Sequence, residues 1–567
     1  MVCQYRKYSI SALAACLLLL TATGCRKTWE DVPLEQFTEE YVWDVEDSLG
    51  VKARGFLVET YKYMPDGYNR VGNDLLDAGS DDAISSATGA TDVQKLATGS
   101  FTSINYPDDQ WNNNYSQIRK GTIFLNNFDR VPLNMKMADG SSAKKAWRAE
   151  ARFLRAIAYF DLLKRYGGVP IMGDKVYQVN DDVALPRNSF EEVVNYIVAE
   201  CDKVADSAWA DPIEDSRLGY VTKGAAMALK ARVLLYAASP LFNGGNIEAA
   251  NTLTGYTNYS AERWRVAAEA SKALMTYNKF SLEQEFKKVF ITARNNEVIF
   301  AKVSGPNKNV ETNNAPIGYS SAVSQGRTSP TQELVDAFPM ANGLPITDPL
   351  SGYDPAFPYA NRDPRLTFTI FFNGSQWLSR NVQTYEGGLD KPNTNVQQTR
   401  TGYYMRKFMG EYESQTNYSD IRHNVALFRY AEVLLNFAEA QTEFAGPDVN
   451  VYNAVEAIRG RAGLNPHQLP AGLTKEEMRE VIRNERRVEL AFEEHRFWDI
   501  RRWKIAEQVM NGPLHGMRID LSSGGDRTYT LIPVLTAKFR SPAMYLAPVR
   551  YEEVAKNPNM KQNPGWE

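Results

Sequence analysis

Apolar residues in the stretch Lys145 to Pro170, KAWRAEARFLRAIAYFDLLKRYGGVP, recur at helical spacing on two flanks. Trp147, Ala151, Leu154, Ala158 and Leu162 make one flank, and Ala146, Ala149, Phe153, Ile157 and Phe160 make the other, roughly 140° away at ~100° per residue. A helix with two apolar flanks needs two packing partners. The basic positions Arg148, Arg152 and Arg155 and the acidic positions Glu150 and Asp161 lie between the flanks, so this helix reads as one layer in a stack. Gly167-Gly168 stops it, and Pro170 forbids its resumption.

The same period predicts further helices over Phe37 to Tyr61 and Trp111 to Phe128, the latter with Trp111, Tyr115, Ile118, Thr122 and Leu125 on one side. Ser189 and Glu192 form a capping box for a helix reaching about Ala208. Thr222 caps another, whose Gly224, Ala225, Ala228 and Ala231 allow close helix approach, and one more follows Ser260. Later helices are expected over Ala426 to Phe444, Val451 to Arg461, and beyond the capping box Thr474/Glu477, where Met478, Val481, Ile482, Val488 and Phe492 form an apolar stripe. Alanine-rich pairs with Pro or Gly exits are similar to tetratricopeptide repeats, although the strict 34-residue consensus is not met. Between 280 and 420 the alternating runs are short and set among Gly, Pro, Asn and aromatic residues, which predicts loops and a few strands. Met64 to Asp109 reads as a long polar surface segment, and the last 50 residues read as mainly irregular. The fold class is therefore mainly α: tetratricopeptide-like helix pairs as a scaffold, with a loop-rich irregular region containing a few short strands.

Composition narrows the class. With 43% apolar and 11% aromatic residues the chain can build a large core, and the absence of a Pro/Ser-rich linker favours one or two closely fused units. Residues 1–24 read as a secretory leader: Arg6 and Lys7, an apolar run from Ala12 to Leu20, then small residues before Cys25. Ala22-Thr23-Gly24-Cys25 resembles a bacterial lipobox, which predicts lipid attachment at Cys25, with Ala22 where Leu is more usual. Two or more acyl chains suffice for stable anchoring. Cleavage leaves Cys25 and Cys201 of the four cysteines, too few for a disulfide framework, and its loss of Arg6 and Lys7 moves the formal charge from −4 to −6. That charge excludes a nucleic-acid binder.

The densest ionisable cluster is NERRVELAFEEHRFWDIRRW, Asn484 to Trp503. Glu485 and Glu489 lie on or beside the apolar stripe, so burial is expected, with Arg429, Arg459 and Arg461 as counter-charges in a structural network. His423, His467, His495 and His515 are far apart, with no H-E-x-x-H or C-x-x-C, so no metal and no cofactor is expected. No G-x-S-x-G nucleophile motif occurs, and Asp81-Asp82 as a glycosidase pair weighs less than the same two residues in a solvated polar loop. What remains is a recognition surface. Tyr68, Tyr106, Trp111, Tyr353, Trp377 and Tyr385 are interleaved with Asn, Asp, Gln and Arg, a mixture that suits sugars, whose C–H faces stack on rings while hydroxyls seek amides and carboxylates.

These segments also carry a resemblance. The lipobox, Trp111 to Asn127, RFLRAIAYFDLLKRYGGVPI, SPTQELVDAFPMANG, NRDPRL, FRYAEVLLNFAEA, AVEAIRGRAG, the Asn484 to Trp503 helix and the terminal QNPGW together resemble the SusD/RagB family of surface lipoproteins. The resemblance implies a signal at 1–24, an N-terminal region at 25–280 with helical repeats and ligand loops, and a C-terminal region at 281–567. It further implies a non-catalytic outer-membrane lipoprotein that delivers oligosaccharides, or in some members peptides, to a SusC-like TonB-dependent transporter. The ligand residues it points to are Asp81, Asp82, Trp111 and Asn114, with Trp377 and Tyr385 after them. A peptide ligand and a glycosidase using loop carboxylates stand as alternatives.

Overall fold

The computed structural model describes residues 39–566 apart from 66, 320–323 and 395; the leader, Cys25 and the tether after it lie outside the described residues. In chain order the principal helices are α1 (Val51–Tyr61), α2 (Trp111–Asn127), α3 (Lys144–Tyr166), α4 (Phe190–Ala205), α5 (Lys223–Ala238), α6 (Ala261–Tyr277), α7 (Tyr430–Ala445), α8 (Val449–Ala462), α9 (Lys475–Glu489) and α10 (His495–Arg502). The principal strands are β1 (Ala83–Ser85), β2 (Val298–Val303), β3 (Thr328–Pro330), β4 (Asn424–Arg429), β5 (Gly512–Leu521) and β6 (Arg527–Ala537).

The two-flanked helix is α3, and it has the two partners its pattern demands: α2 packs on it from one side and α4 from the other. Gly121 makes the α2 approach possible, since a Cβ there would stand 3.2 Å from the Ala151 carbonyl oxygen. The stack continues α4 to α5, α5 to α6, α6 to α7, and α7 to both α8 and α9. Between α6 and α7 the chain leaves the stack for about 150 residues, then returns through the antiparallel pairing of β2 with β4. The mainly helical class with few short strands is thus what forms. No described helix is long and apolar enough to cross a membrane.

Several boundaries differ from expectation. Gly50, at φ 67°, separates α1 from a short turn at Glu39–Val42, so Phe37 to Tyr61 is not one helix. Residues 426–429 belong to β4, which pairs antiparallel with β2, and the helix begins only at Tyr430. Met64 to Asp109 is not a surface segment: Leu75 to Ser86 is buried throughout and β1 pairs with β3 inside the core, while Asp92–Thr98 adds a helix with a Thr91/Gln94 capping box. The final residues include the long antiparallel hairpin β5–β6, whose mostly accessible faces hide the usual inside–outside alternation.

Candidate ligand-binding clefts

Helix α2 is where aromatic and polar side chains are set in order. Asp109 starts it, accepting from the backbone N–H of Trp111 at 3.0 Å and from the Tyr166 hydroxyl at 2.9 Å, with Arg550 3.2 Å away. The helix therefore begins pinned to the end of α3. From there its faces diverge: Trp111, Tyr115, Ile118 and Thr122 recur on one, and Gln110, Asn113, Asn114 and Gln117 recur on the other. Each face lines its own cleft.

The aromatic cleft encloses about 880 Å³ between α2, the 170–185 loop and residues 553–560. Trp111 stands edge-on to Tyr166, with ring centroids 5.2 Å apart, and tilts against Tyr115 at 5.1 Å. Across from them lies Tyr177, whose ring is covered by Lys175 at 4.4 Å and whose carbonyl accepts from Arg119 at 2.6 Å. The loop is held by Arg155 of α3, which is buried and donates to Asp174 at 2.7 Å and to the Gly173 carbonyl at 3.2 Å while pairing with Glu200 at 2.8 Å. Asn557 fixes the other wall through the Leu185 carbonyl at 2.8 Å. Charged lining groups balance in sign: Arg119, Lys175 and Lys556 against Asp181, Asp182 and Glu553. Open, ring-lined and neutral overall, this cleft suits a hydroxyl-rich, uncharged ligand.

The carboxamide cleft is smaller, about 420 Å³, and lies between α2, α3 and the Lys62–Pro65 turn. Asn114 donates to Asp161 at 2.8 Å and to the Gln110 carbonyl at 3.0 Å. Burial opposes ionisation of Asp161, yet Arg165, Lys164 and the Asn114 amide hold its carboxyl far below the usual range. Gln117 is buried on this wall and its Nε2 finds no acceptor in the protein. A buried donor left without a partner costs about 1–3 kcal/mol, so this amide is a standing demand for an acceptor.

Of the sequence-predicted residues, Trp111 and Asn114 both lie on α2 but on opposite faces, at the walls of different clefts, and both are buried. The others lie elsewhere. Asp81 and Asp82 are buried, which corrects the solvated-loop reading: Arg496 grips both Asp81 oxygens at 2.8 and 2.7 Å, and Arg487 donates to Asp82 at 2.7 Å. Burial pushes Asp81 up, but Arg487 and Arg496 bring it down to about 2, whereas burial wins at Asp82 and raises it. Neither carboxylate lines a cleft, because both are spent on arginines. Trp377 is fully buried among Phe371, Tyr412 and Tyr418, donating to the Tyr418 hydroxyl at 3.2 Å. Tyr385 is half-buried, its hydroxyl donating to Gln383 at 3.1 Å, and it lines neither cleft. Tyr68 is not a rim residue either; it stacks on Phe408 with centroids 3.7 Å apart.

The residues sequence reasoning missed are Tyr177, Arg119 and Gln117. Gln117 was visible in principle as the fourth carboxamide at helical spacing after Gln110; Tyr177 sits in a loop with no periodic signal. Among the described residues no three His, Cys, Asp or Glu side chains converge to hold a metal ion.

Comparison with known proteins fits this architecture. A profile of the SusD family matches residues 296–566, and one described as "Starch-binding associating with outer membrane" matches residues 58–235. SusD-like protein P38 of Formosa agariphila is 23% identical over 537 residues, covering 91% of this chain and 95% of that protein. The crystal structure of a SusD-like protein from Bacteroides fragilis is 27% identical with a TM-score of 0.77, covering 94% of this chain and 99% of that one. A second structure from that organism, a SusD-like carbohydrate binding protein, is 24% identical with a TM-score of 0.72, covering 92% and 100%. The chain belongs to the SusD/RagB family.

Proposed function

We propose that this chain is a non-catalytic glycan-capture lipoprotein of the outer membrane, which holds an oligosaccharide in the aromatic cleft and passes it to a SusC-like TonB-dependent transporter. The observation that carries the reading is the cleft itself: the half-buried Tyr115 and Tyr177, backed by the buried ring of Trp111, supply ring surface for sugar C–H faces, and Asn112, Ser116, Asp181 and Asp182 supply partners for hydroxyls. The family's description as starch-binding and outer-membrane-associated, and the carbohydrate-binding relative from Bacteroides fragilis, support the ligand class. The Ala22 to Cys25 lipobox supports an anchor on the membrane, with the folded body facing outward.

Tyr177 is the better test residue, since it is partly exposed and its loss leaves the helix stack alone. Titrating mature protein with a panel of hexaoses should find a binder whose affinity falls about threefold to tenfold in Tyr177→Ala and in Trp111→Ala, the value of one aromatic contact. Undiminished affinity in both variants removes the aromatic cleft as the site. Release of reducing ends from the bound glycan would instead establish an enzyme. Incorporation of labelled palmitate that persists in Cys25→Ser would remove the anchor.

A further inference from the structure

We infer that the cavity between the 211–222 loop and β2 is a separate ligand site, one that takes a small aromatic ring carrying an N–H or O–H donor. It shares no lining residue with either cleft of α2, so it stands apart from the glycan reading. The walls are set by backbone. Asp211 accepts from the Gly224 N–H at 2.7 Å, which pins the start of the loop to the first turn of α5. Gly219 then lets the loop come down onto the strand: at φ 88°, a Cβ there would stand 3.1 Å from Val303 Cγ2. Across from it, Ser281 N–H donates to the Asn296 carbonyl at 3.0 Å and joins the two turns that close the third side. The site is formed before any ligand arrives.

One polar atom in it is unspent. Asn424, at the start of β4, lines the cavity and is buried; its Nδ2 donates to the carbonyls of Val289, at 3.3 Å, and Thr292. With the nitrogen turned to those carbonyls the oxygen is turned away from them, and Asn424 Oδ1 is buried with no donor among the described residues. A buried acceptor left unpaired is costly, so a ligand gains by bringing a hydrogen. The rest of the lining asks for apolar surface: Phe300 and Ile299 are buried, and Ile213, Leu218, Phe280 and Val298 are half-buried. Of the charged lining groups, Asp211 is held by Gly224, while Lys279 and Arg294 are exposed and Arg294 pairs with Asp215 at 2.6 Å. An anionic group brings acceptors only and leaves Asn424 unsatisfied. Size sets the scale of the ligand. The cavity holds about 180 Å³, and an apolar cavity of ~150 Å³ is enough to admit benzene. One ring, or two fused, with a single donor at its edge meets both demands; phenol and indole are the simplest such molecules.

The test compares each probe with its methylated partner, which keeps the ring and removes the hydrogen: indole with N-methylindole, phenol with anisole. Titrations of the mature protein followed by calorimetry should show indole and phenol binding about threefold to tenfold more tightly than their partners, the value of one hydrogen bond to a buried acceptor. Asn424→Leu should erase that ratio. Because Asn424 also holds Val289 and Thr292, a second variant guards against misfolding: Ile213→Trp, in the half-buried loop, fills the mouth and should abolish binding of all four probes. Crystals soaked in indole should place the ring against Phe280 and Phe300 with its N–H on Asn424 Oδ1. Methylated probes that bind as well as their parents, or a folded Ile213→Trp with undiminished indole affinity, overturn the inference. So does a soaked crystal with only water against Asn424 Oδ1, or a wild type that binds none of the four.

Discussion

Asp81 keeps its charge in the core because Arg496 meets both of its oxygens and Arg487 adds a contact at 3.0 Å. Removing one side of such a pair leaves an uncompensated buried charge, so Arg496→Met should cost ~3–5 kcal/mol at pH 7 by chemical denaturation. The pH dependence follows in sign. A folded-state value of about 2, below the unfolded ~3.9, means the pairing is fully present above pH 4 and is lost as pH falls through about 2. The penalty of Arg496→Met should therefore shrink between pH 4 and pH 2; a penalty constant over that range would show that packing, not charge, is what Arg496 supplies. This pair also explains what was illegible. Its cations lie more than 400 residues further along the chain, at positions 487 and 496, so nothing local distinguishes Asp81-Asp82 from a solvated acidic turn. Glu485 and Glu489 were legible as buried because they sit on the apolar stripe of their own helix, and the helix itself declares which face is inside. Trp377 had no such stripe to declare it, and it closes a ring cluster that the folding of its own loop assembles.

The exit of α3 shows how an element's end can be tighter than its middle. Gly167 sits at φ 76°, and a Cβ there would be 2.3 Å from the Leu253 carbonyl oxygen; one on Gly168 would be 2.1 Å from that of Asn188. The glycines do more than stop a helix: they let the 252–253 and 188–190 backbones cross it, with Gly168 N–H donating to Leu253 at 2.7 Å and Phe190 N–H to Thr252 at 2.8 Å. Gly168→Ala should accordingly cost ~2–4 kcal/mol, read as a lower denaturation midpoint with an unchanged slope. A loss below ~1 kcal/mol would mean that the crossing strands yield freely. At the next element, Thr474 accepts from the Glu477 N–H at 3.2 Å while Glu477 returns to the Thr474 N–H at 2.8 Å, and Thr474→Ala should cost ~1 kcal/mol by the same measurement. Helix starts of this kind were readable because both halves of the cap lie within four residues. The β5–β6 hairpin was not, since its pairing runs over ten positions whose side chains mostly face water and carry no inside–outside alternation.

At the scale of the whole molecule, the question is what ties the 150-residue excursion between α6 and α7 to the helical stack. The tie is ionic. Glu489, at the end of α9, accepts from Arg429 at 2.6 Å, from Arg365 of the excursion at 2.9 Å, and from Arg461 of α8. Glu297, where the excursion enters β2, accepts from Arg429 at 2.6 Å and Arg461 at 2.8 Å, and Lys407 of the excursion reaches the Glu489 carbonyl at 2.9 Å and Glu493 at 2.7 Å. Burial penalises the Glu489 carboxylate, but Arg461, Arg429 and Arg365 together hold it ionised far below the ordinary range. Sequence pattern anticipated Glu489 and its neighbour Glu485 and three of the arginines around them, Arg429, Arg459 and Arg461; Glu297, and Arg365 in the short helix Pro364–Thr369, are members it could not reach. The clefts were beyond it for the same reason, since the aromatic one is walled by residues 111–122, 170–185 and 553–560. Glu489→Gln keeps the shape of this hub and removes the charge on which three guanidinium groups converge, so it should cost ~3–5 kcal/mol. Because those groups come from the stack and from the excursion alike, the loss should not fall evenly. Calorimetry should resolve an early transition in the variant where the wild type shows none, and limited proteolysis should cut first within residues 280–420. A single transition that merely moves to lower temperature would mean that the apolar contacts of β2 and β4 hold the two parts together without the charges.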